Sequence, residues 1–480
     1  MNKQTCDFYD IISSVSDEEL MKPVKNGVTF KEFVERIPRP ELESKILSVD
    51  EQRKNLATYA KLMHEHVGFE GFGLENNEKF KQRIVELYQQ IQVPMPASDF
   101  IRQVIQTAHQ YILDRHCIVG TGANWIGSKR IDKRPQGDCG HNLIKSSERP
   151  HGYQIVKQKF DENNTPMWEI GILKQNNKNI LLISIASMGC DYSYEYWKEF
   201  ITTFDSIYST GQGLDKIILD VRGNPGGEDR PIYHIARRTY GNCLNPYKRC
   251  EIKDTPLADY VYQTHGIFSR FNDGVKHCPR RHFSGQNIVL FDETQSYYAF
   301  NEKDGFQGEI DILIDRHNGS AAESAYTLFY HHPKVRYIGE NTNGQQQFQQ
   351  GQIHLPCGFL MRVGVTKLTY WDKEGENIEC IGHKPDIVCN GQNALTVALT
   401  DNTPAIKHVL NETVKNKIMP SEQTVYNPQE SMTRKACSIH YVEPALRRIE
   451  KNNILRKKQQ KNAKKSTKHT VNIIDKGIKR

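Results

Sequence analysis

Two short stretches combine residue types and spacings that could do chemistry. In the first, residues 220–227 (DVRGNPGG), three glycines and a proline follow the short apolar run KIILDV at 216–221. Glycine permits positive φ and close backbone approach, and N–H groups bared at such a turn can hold an oxyanion or a phosphate. An ordinary strand–helix turn would read the same way. The second is 318–325 (NGSAAESA), which follows the strand-like IDILID and opens a helical pattern. A serine there is sterically open and lies beside unpaired N–H donors and the positive end of the helix dipole. That suits a nucleophile whose attack creates an oxyanion one peptide away. Serine is also a favoured N-cap, and Ser320 fits that role equally.

The elements that must position these turns follow from periodicity. Leu56, Tyr59, Ala60, Met63 and Val67 recur at helical spacing, as do Ile101, Val104, Ile105, Ala108 and Ile112 after a cap at Ser98. Phe80, Ile84, Leu87 and Tyr88 mark a helix between them. A helical N-terminal domain, 1–116, is expected. Residues 117–166 are rich in Gly, Asn, Lys and Pro and predict a loop-rich connector with room for a short hairpin. Residues 167–402 alternate strand and helix patterns: strands at 180–186, 216–221 and 310–314, and an amphipathic helix through Trp197, Phe200, Phe204 and Tyr208. Thr403-Pro404 starts a C-terminal helical extension, 403–454, and 455–480 is a basic tail expected to be disordered.

Composition narrows the classes. Of 480 residues, 37% are hydrophobic and 25% charged, so a large core is expected. No apolar run reaches the roughly 18–20 residues of a membrane span. The net charge is +7, yet the tail alone holds ten Lys or Arg against one Asp. The body is therefore near neutral, which weighs against a nucleic-acid-binding core and suits the tail to acidic partners. Eleven scattered cysteines without CxxC spacing, and an acidic opening segment in place of an apolar leader, predict a cytoplasmic protein with reduced thiols. An exported form with its leader removed stays open. Cys139 and His141 form only C-x-H, too little for zinc.

Four blocks, LDVRGNPGG (219–227), NGSAAES (318–324), IGENTNG (338–344) and GHKPDI (382–387), stand in this order. Together they resemble the S41 serine peptidases, the family of the carboxyl-terminal processing proteases and the tricorn core. The resemblance implies an α/β, ClpP/crotonase-like core of stacked β–β–α units, with Ser320 as nucleophile and no metal or cofactor. In the processing branch a Lys after the third block serves as base. Here that position is Gln345, which has no basic lone pair. The other branch uses Ser, His and Glu, with its His in a D-x-H segment and its Glu three residues before the fourth block. The matching residues here are His116, in LDRHC, and Glu379. The resemblance thus implies His116 as base, Glu379 in support, and backbone N–H groups of Ala321 and of Gly226 or Gly227 for the oxyanion. It also shows a departure, because 117–166 is too short and unpatterned for the PDZ domain that many members insert there. A peptide or protein substrate is expected, and a homo-oligomer is left open. The rival readings are a catalytically inactive peptide-binding scaffold on this fold and a crotonase-like acyl-CoA enzyme.

Overall fold

The structure is a computed structural model describing residues 7–34, 37–121, 126–127, 149–161, 164–188, 194–209, 213–241, 247–265, 284–292, 300–370, 378–401 and 403–405. The helices expected after Pro404 and near 444–455, and the basic tail, lie outside the described residues.

The N-terminal part is helical as periodicity predicts: α1 (Phe8–Ser13), α2 (Val49–His64), α3 (Leu74–Gln90) and α4 (Ala97–Thr107). A reciprocal capping box starts α2. Ser48 Oγ accepts the Glu51 N–H, and the Glu51 carboxylate accepts the Ser48 N–H. The cap expected at Ser98 is not used. Helix α4 begins two residues earlier than such a cap would place it, behind Pro96, and the Ala97 N–H donates to Lys45 O. Among the described residues no helix is long and apolar enough to cross a membrane.

Beyond α4 the chain builds two sheets. Strand β1 (Ile118–Gly120) pairs with Ile126–Gly127 in the hairpin allowed for above. The first sheet then takes β2 (Gln154–Phe160), β3 (Pro166–Gln175), β4 (Lys178–Ile185) and, after α5 (Tyr194–Ser209), β5 (Leu214–Asp220). After α6 (Arg230–Tyr240) come β6 (Tyr247–Lys253), α7 (Pro256–His265) and β7 (Asn287–Asp292), then β8 (Glu309–Ile314). The chain closes with α8 (Ser324–Thr327), β9 (Val335–Gly339), β10 (Phe348–His354), β11 (Leu360–Tyr370), β12 (Ile387–Val388) and α9 (Ala394–Thr400). The seven-stranded sheet has the order β12-β9-β8-β5-β4-β3-β2. Strands β4, β5, β8, β9 and β12 are mutually parallel, and β2–β3–β4 is an antiparallel edge. This confirms a mixed α/β architecture. It also corrects the connector, because Gln154–Phe160, read as loop, is the edge strand of this sheet. Its side chains are mostly exposed on both faces, so it shows no apolar alternation.

The parallel strands are buried on both faces, which is why KIILDV is nearly continuously apolar. Ile217 and Leu219 pack with Trp197, Phe200, Phe204 and Ile235, whereas Ile218 packs with Leu395 and Ala398 on the opposite face. The second sheet, β7-β6-β11-β1 with β10 against β11, was not anticipated. It shares one apolar core with α1–α4, joining Leu56, Met63, Phe80 and Phe100 to Phe348, Met361 and Val363.

Across the parallel strands runs a buried charge cluster. Asp311 on β8 accepts from Lys216 Nζ of β5 at 2.6 Å and from Arg336 Nε and Nη2 of β9 at 2.7 Å each. The two cations also donate to the carbonyls of Ala398 and Thr403. Removing that anion leaves the two buried cations only the more exposed carboxylates of Glu309, 3.7 Å from Lys216, and Asp401, 3.9 Å from Arg336. Asp311→Ala should therefore cost about 3–5 kcal/mol of unfolding free energy, measured by urea denaturation.

Candidate active site

In parallel α/β sheets, ligands bind beyond the carboxyl ends of the strands. Three turns meet there. They follow β5 (221–227), β8 (315–320) and β9 (340–347), and buried side chains staple them together. The Asp315 carboxylate accepts the N–H groups of Gly223 and His317. Asn318 Nδ2 donates to Val221 O, and the Asn343 N–H donates to Asn318 O at 2.7 Å. Asn224 Nδ2 reaches Ile185 O at the end of β4. Glu323 is fully buried; its carboxylate accepts Thr342 Oγ1–H and the N–H groups of Gly344 and Gln345. Asp220 and Arg222 form a buried ion pair, with Arg222 also donating to Gly391 O.

Ser320 is the first residue of a 3₁₀ turn and is half-buried. Its N-cap is Gly319, and no side chain caps the turn. The capping role that Ser320 could have played is thus not the one it plays. Its φ is +55°, a left-handed conformation costly to a residue with a Cβ. Gly226 makes room for this. A Cβ there would lie 2.7 Å from Ser320 Cβ, 2.5 Å from Gly319 O and 3.1 Å from Ala321 N. The Gly226 N–H is committed to Asn224 Oδ1 at 2.9 Å. Those of Ala321 and Gly227 carry no hydrogen bond among the described residues.

His116 lies in a turn leading into β1, well past the end of α4, so it is not a helix-terminal histidine. Glu379 is not a surface strand residue but sits fully buried in a turn. Its Oε1 accepts the Arg115 N–H at 3.0 Å, and its Oε2 accepts the N–H groups of Gln346 and Gln347 at 3.2 and 2.9 Å. Gln345 closes the gap on the other side. Its Nε2 donates to Arg115 O at 3.1 Å, and a Cβ on Gly319 would lie 2.8 Å from its Oε1. Gln345 therefore touches both the residue before His116 and the residue before Ser320. No hydrogen bond joins Ser320 Oγ to His116, and His116 Nδ1 is buried without a partner.

One ligand atom each of Asp114, His116 and Glu379 lies within 4.8 Å of the other two. The four carboxylate oxygens already accept five N–H groups: His116 N, His66 Nε2, Arg115 N, Gln346 N and Gln347 N. That donor set completes a buried hydrogen-bond network and leaves a cation little to coordinate. Burial, opposed by Asp114, brings His116 down to about 4, so its imidazole is neutral near pH 7. Glu379 is pushed well up by burial and by the Asp114 charge. Asp114 is held down although burial opposes it, because His66, His116 and the His116 N–H all favour its anion. Burial pushes the Cys117 thiol far up, which removes it as a rival nucleophile.

Sequence reasoning missed His66, Gln345's bridging role, and Glu323. Only the D-x-H spacing pointed toward Asp114.

Residues 179–389 match the model of Peptidase family S41. The span takes in the three turns, Ser320 and Glu379, and stops short of His116. No curated protein is significantly similar in sequence. Solved structures similar to the chain include a candidate peptidase from Parabacteroides merdae (14% identity, TM-score 0.47, covering 72% of this chain and 92% of that one). Mature CPAF follows (11%, 0.44, 73% and 96%), as does the photosystem II D1 C-terminal processing protease (12%, 0.37, 74% and 98%).

The packing against Gly226 yields a direct test. Gly226→Ala meets both a contact below 3 Å and a φ of +108°, and should lose at least about 1–3 kcal/mol in denaturant titrations. Gly71→Ala, with open space around it, should stay within about 0.5 kcal/mol of wild type.

Proposed function

We propose that the chain is a serine peptidase that cleaves peptide bonds through an acyl-enzyme on Ser320. Ser320 Oγ attacks the scissile carbonyl carbon while a His116 ring nitrogen takes its proton. The tetrahedral oxyanion is received by the N–H groups of Ala321 and Gly227, and Gly226 contributes the space it occupies. The C–N bond then breaks as His116 returns the proton to the leaving amine. Water, deprotonated by the same imidazole, then attacks the acyl carbon; the ester C–O bond breaks, the acid leaves, and His116 returns the proton to Ser320 Oγ. Glu379 acts through its hydrogen bond to the Arg115 N–H, which fixes the segment that carries His116. No step calls for a metal or a cofactor.

The observation that carries this reading is Ser320 in a left-handed conformation, without capping work, packed against a glycine turn, with the N–H groups of Ala321 and Gly227 carrying no hydrogen bond among the described residues. Such strain at the end of a central strand is a recurring feature of functional sites. The neutral His116, tied through Arg115 and Gln345 to the serine's turn, supports it. A non-catalytic peptide-binding protein on the same frame is the competing reading, and it draws on Gln345 at the place of the processing branch's lysine. The division into a helical part, 1–116, a peptidase core, 167–402, and a C-terminal extension belongs to the same proposal, with β2 added to the core.

A fluorophosphonate probe separates the two. It should label the wild type, fail on Ser320→Ala and slow by at least about 10²-fold on His116→Ala. Equal labelling of all three would end the peptidase reading. The pH dependence has a definite sign. His116 must be neutral to accept the proton, and its value is brought down to about 4. The labelling rate should therefore hold as pH falls through 6.5 and drop only as it approaches 4.

A further inference from the structure

Behind His116 lies a second buried histidine with a carboxylate partner that the mechanism above does not use. His66, just past the end of α2, is fully buried. Its Nδ1 accepts the Gly68 N–H at 2.8 Å, which leaves the proton on Nε2. That nitrogen lies 2.8 Å from Asp114 Oδ2, so His66 donates to the carboxylate. Asp114 Oδ1 in turn accepts the backbone N–H of His116 at 2.8 Å. The His66 ring is fixed against Phe72 and Phe348, at centroid distances of 5.1 and 5.0 Å. Strand β11 leaves room for the pair only because residue 364 is glycine. A Cβ there would come within 2.4 Å of His66 Nε2 and 3.0 Å of Asp114 Oδ2.

This arrangement has two physical consequences. The carboxylate fixes the backbone of His116 from inside the protein. It also places an anion, itself oriented by a donor from the segment that follows α2, within a few ångströms of the ring that must become positively charged. The other titratable or charged groups facing His116 are Glu379 on the 378–382 turn, which burial and Asp114 push up, Arg115 beside His116 and Arg362 on β11. The two arginines oppose an imidazolium. A buried, hydrogen-bonded anion is the feature best placed to offset them.

Resting on the Ser320–His116 reading, we propose that the His66–Asp114 pair is the positioning and charge-supporting element of the base, with Asp114 rather than Glu379 as the anion that stabilises protonated His116. Asp114 touches no reacting atom and acts through His116.

The test uses the full chain, fluorophosphonate labelling and hydrolysis of fluorescein-labelled casein. Asp114→Asn should slow both on the order of 10²-fold, chiefly in kcat. It should also move the acid limb of the labelling rate to lower pH, because the anion that favoured imidazolium is gone. His66→Ala should lose part of the rate. His66→Gln should recover most of it, since the amide can still donate to Asp114. Folding is checked by thermal melts. If Asp114→Asn does not fold, the contrast between His66→Ala and His66→Gln decides. Folded variants that label at the wild-type rate with an unmoved acid limb would overturn the inference while Ser320→Ala remains unlabelled. If instead Ser320→Ala labels like the wild type, the peptidase reading itself falls and takes this inference with it.

Discussion

Parallel strands that end in tight turns leave backbone N–H groups pointing inward with no strand to pair with. A buried N–H without an acceptor costs about 1–3 kcal/mol, so each must find one. In this protein buried carboxyl groups are the acceptors. Asp315 serves Gly223 and His317; Glu323 serves Gly344 and Gln345; Glu379 serves Arg115, Gln346 and Gln347; Asp114 serves His116. Each carboxyl ties segments far apart in sequence, and together they fix where Ser320 and His116 can be. The N–H groups of Ala321 and Gly227, which carry no hydrogen bond among the described residues, stand out against that background.

The same device has an electrostatic cost. Several carboxyls gathered in a low-dielectric region cannot all ionise freely. Elsewhere a buried carboxyl is paired directly with cations: Asp220 with Arg222, and Asp311 between Lys216 and Arg336. Around His116 the division is different. Asp114, with His66 donating to it, is held below the usual carboxylate range and so stays charged, and that charge adds to burial in pushing Glu379 up. Two carboxyls within a few ångströms of one imidazole thus fall into different protonation ranges because of what each accepts from. A single fixed anion beside a neutral base is the combination that proton transfer in the proposed mechanism requires.

The turns and the strands that feed them were legible in the sequence because their signals are local. A continuous apolar run marks a strand buried on both faces, and Gly-Asn-Pro-Gly-Gly marks its end. The second sheet was not legible. Strands β6 and β10 read YKRCEIK and FQQGQIH, and only pairing with β11 and packing against the N-terminal helices make them strands. Lys253, for instance, is buried with its Nζ on His64 O, a partner supplied from 189 residues away. His66 was invisible for the same reason. Its partner Asp114 is 48 residues on, and its space comes from Gly364. Ser320 could be singled out from its neighbours alone, whereas what surrounds His116 depends on three separate stretches of chain.

Gln345 shows why that long-range assembly matters more than the local motif. Its amide is used in both directions, with Nε2 donating to Arg115 O and Oε1 accepting from Asn343 Nδ2 at 3.0 Å. A lysine in its place could donate to Arg115 O but could not accept from Asn343. It would leave that donor without its partner and add a third positive charge near His116, beside Arg115 and Arg362. Such a charge would disfavour imidazolium still further. The local chemistry of residue 345 and the identity of the base are therefore coupled. With a neutral hydrogen-bonding bridge here, the proposed mechanism takes its proton acceptor from the segment that Glu379 and Asp114 pin in place.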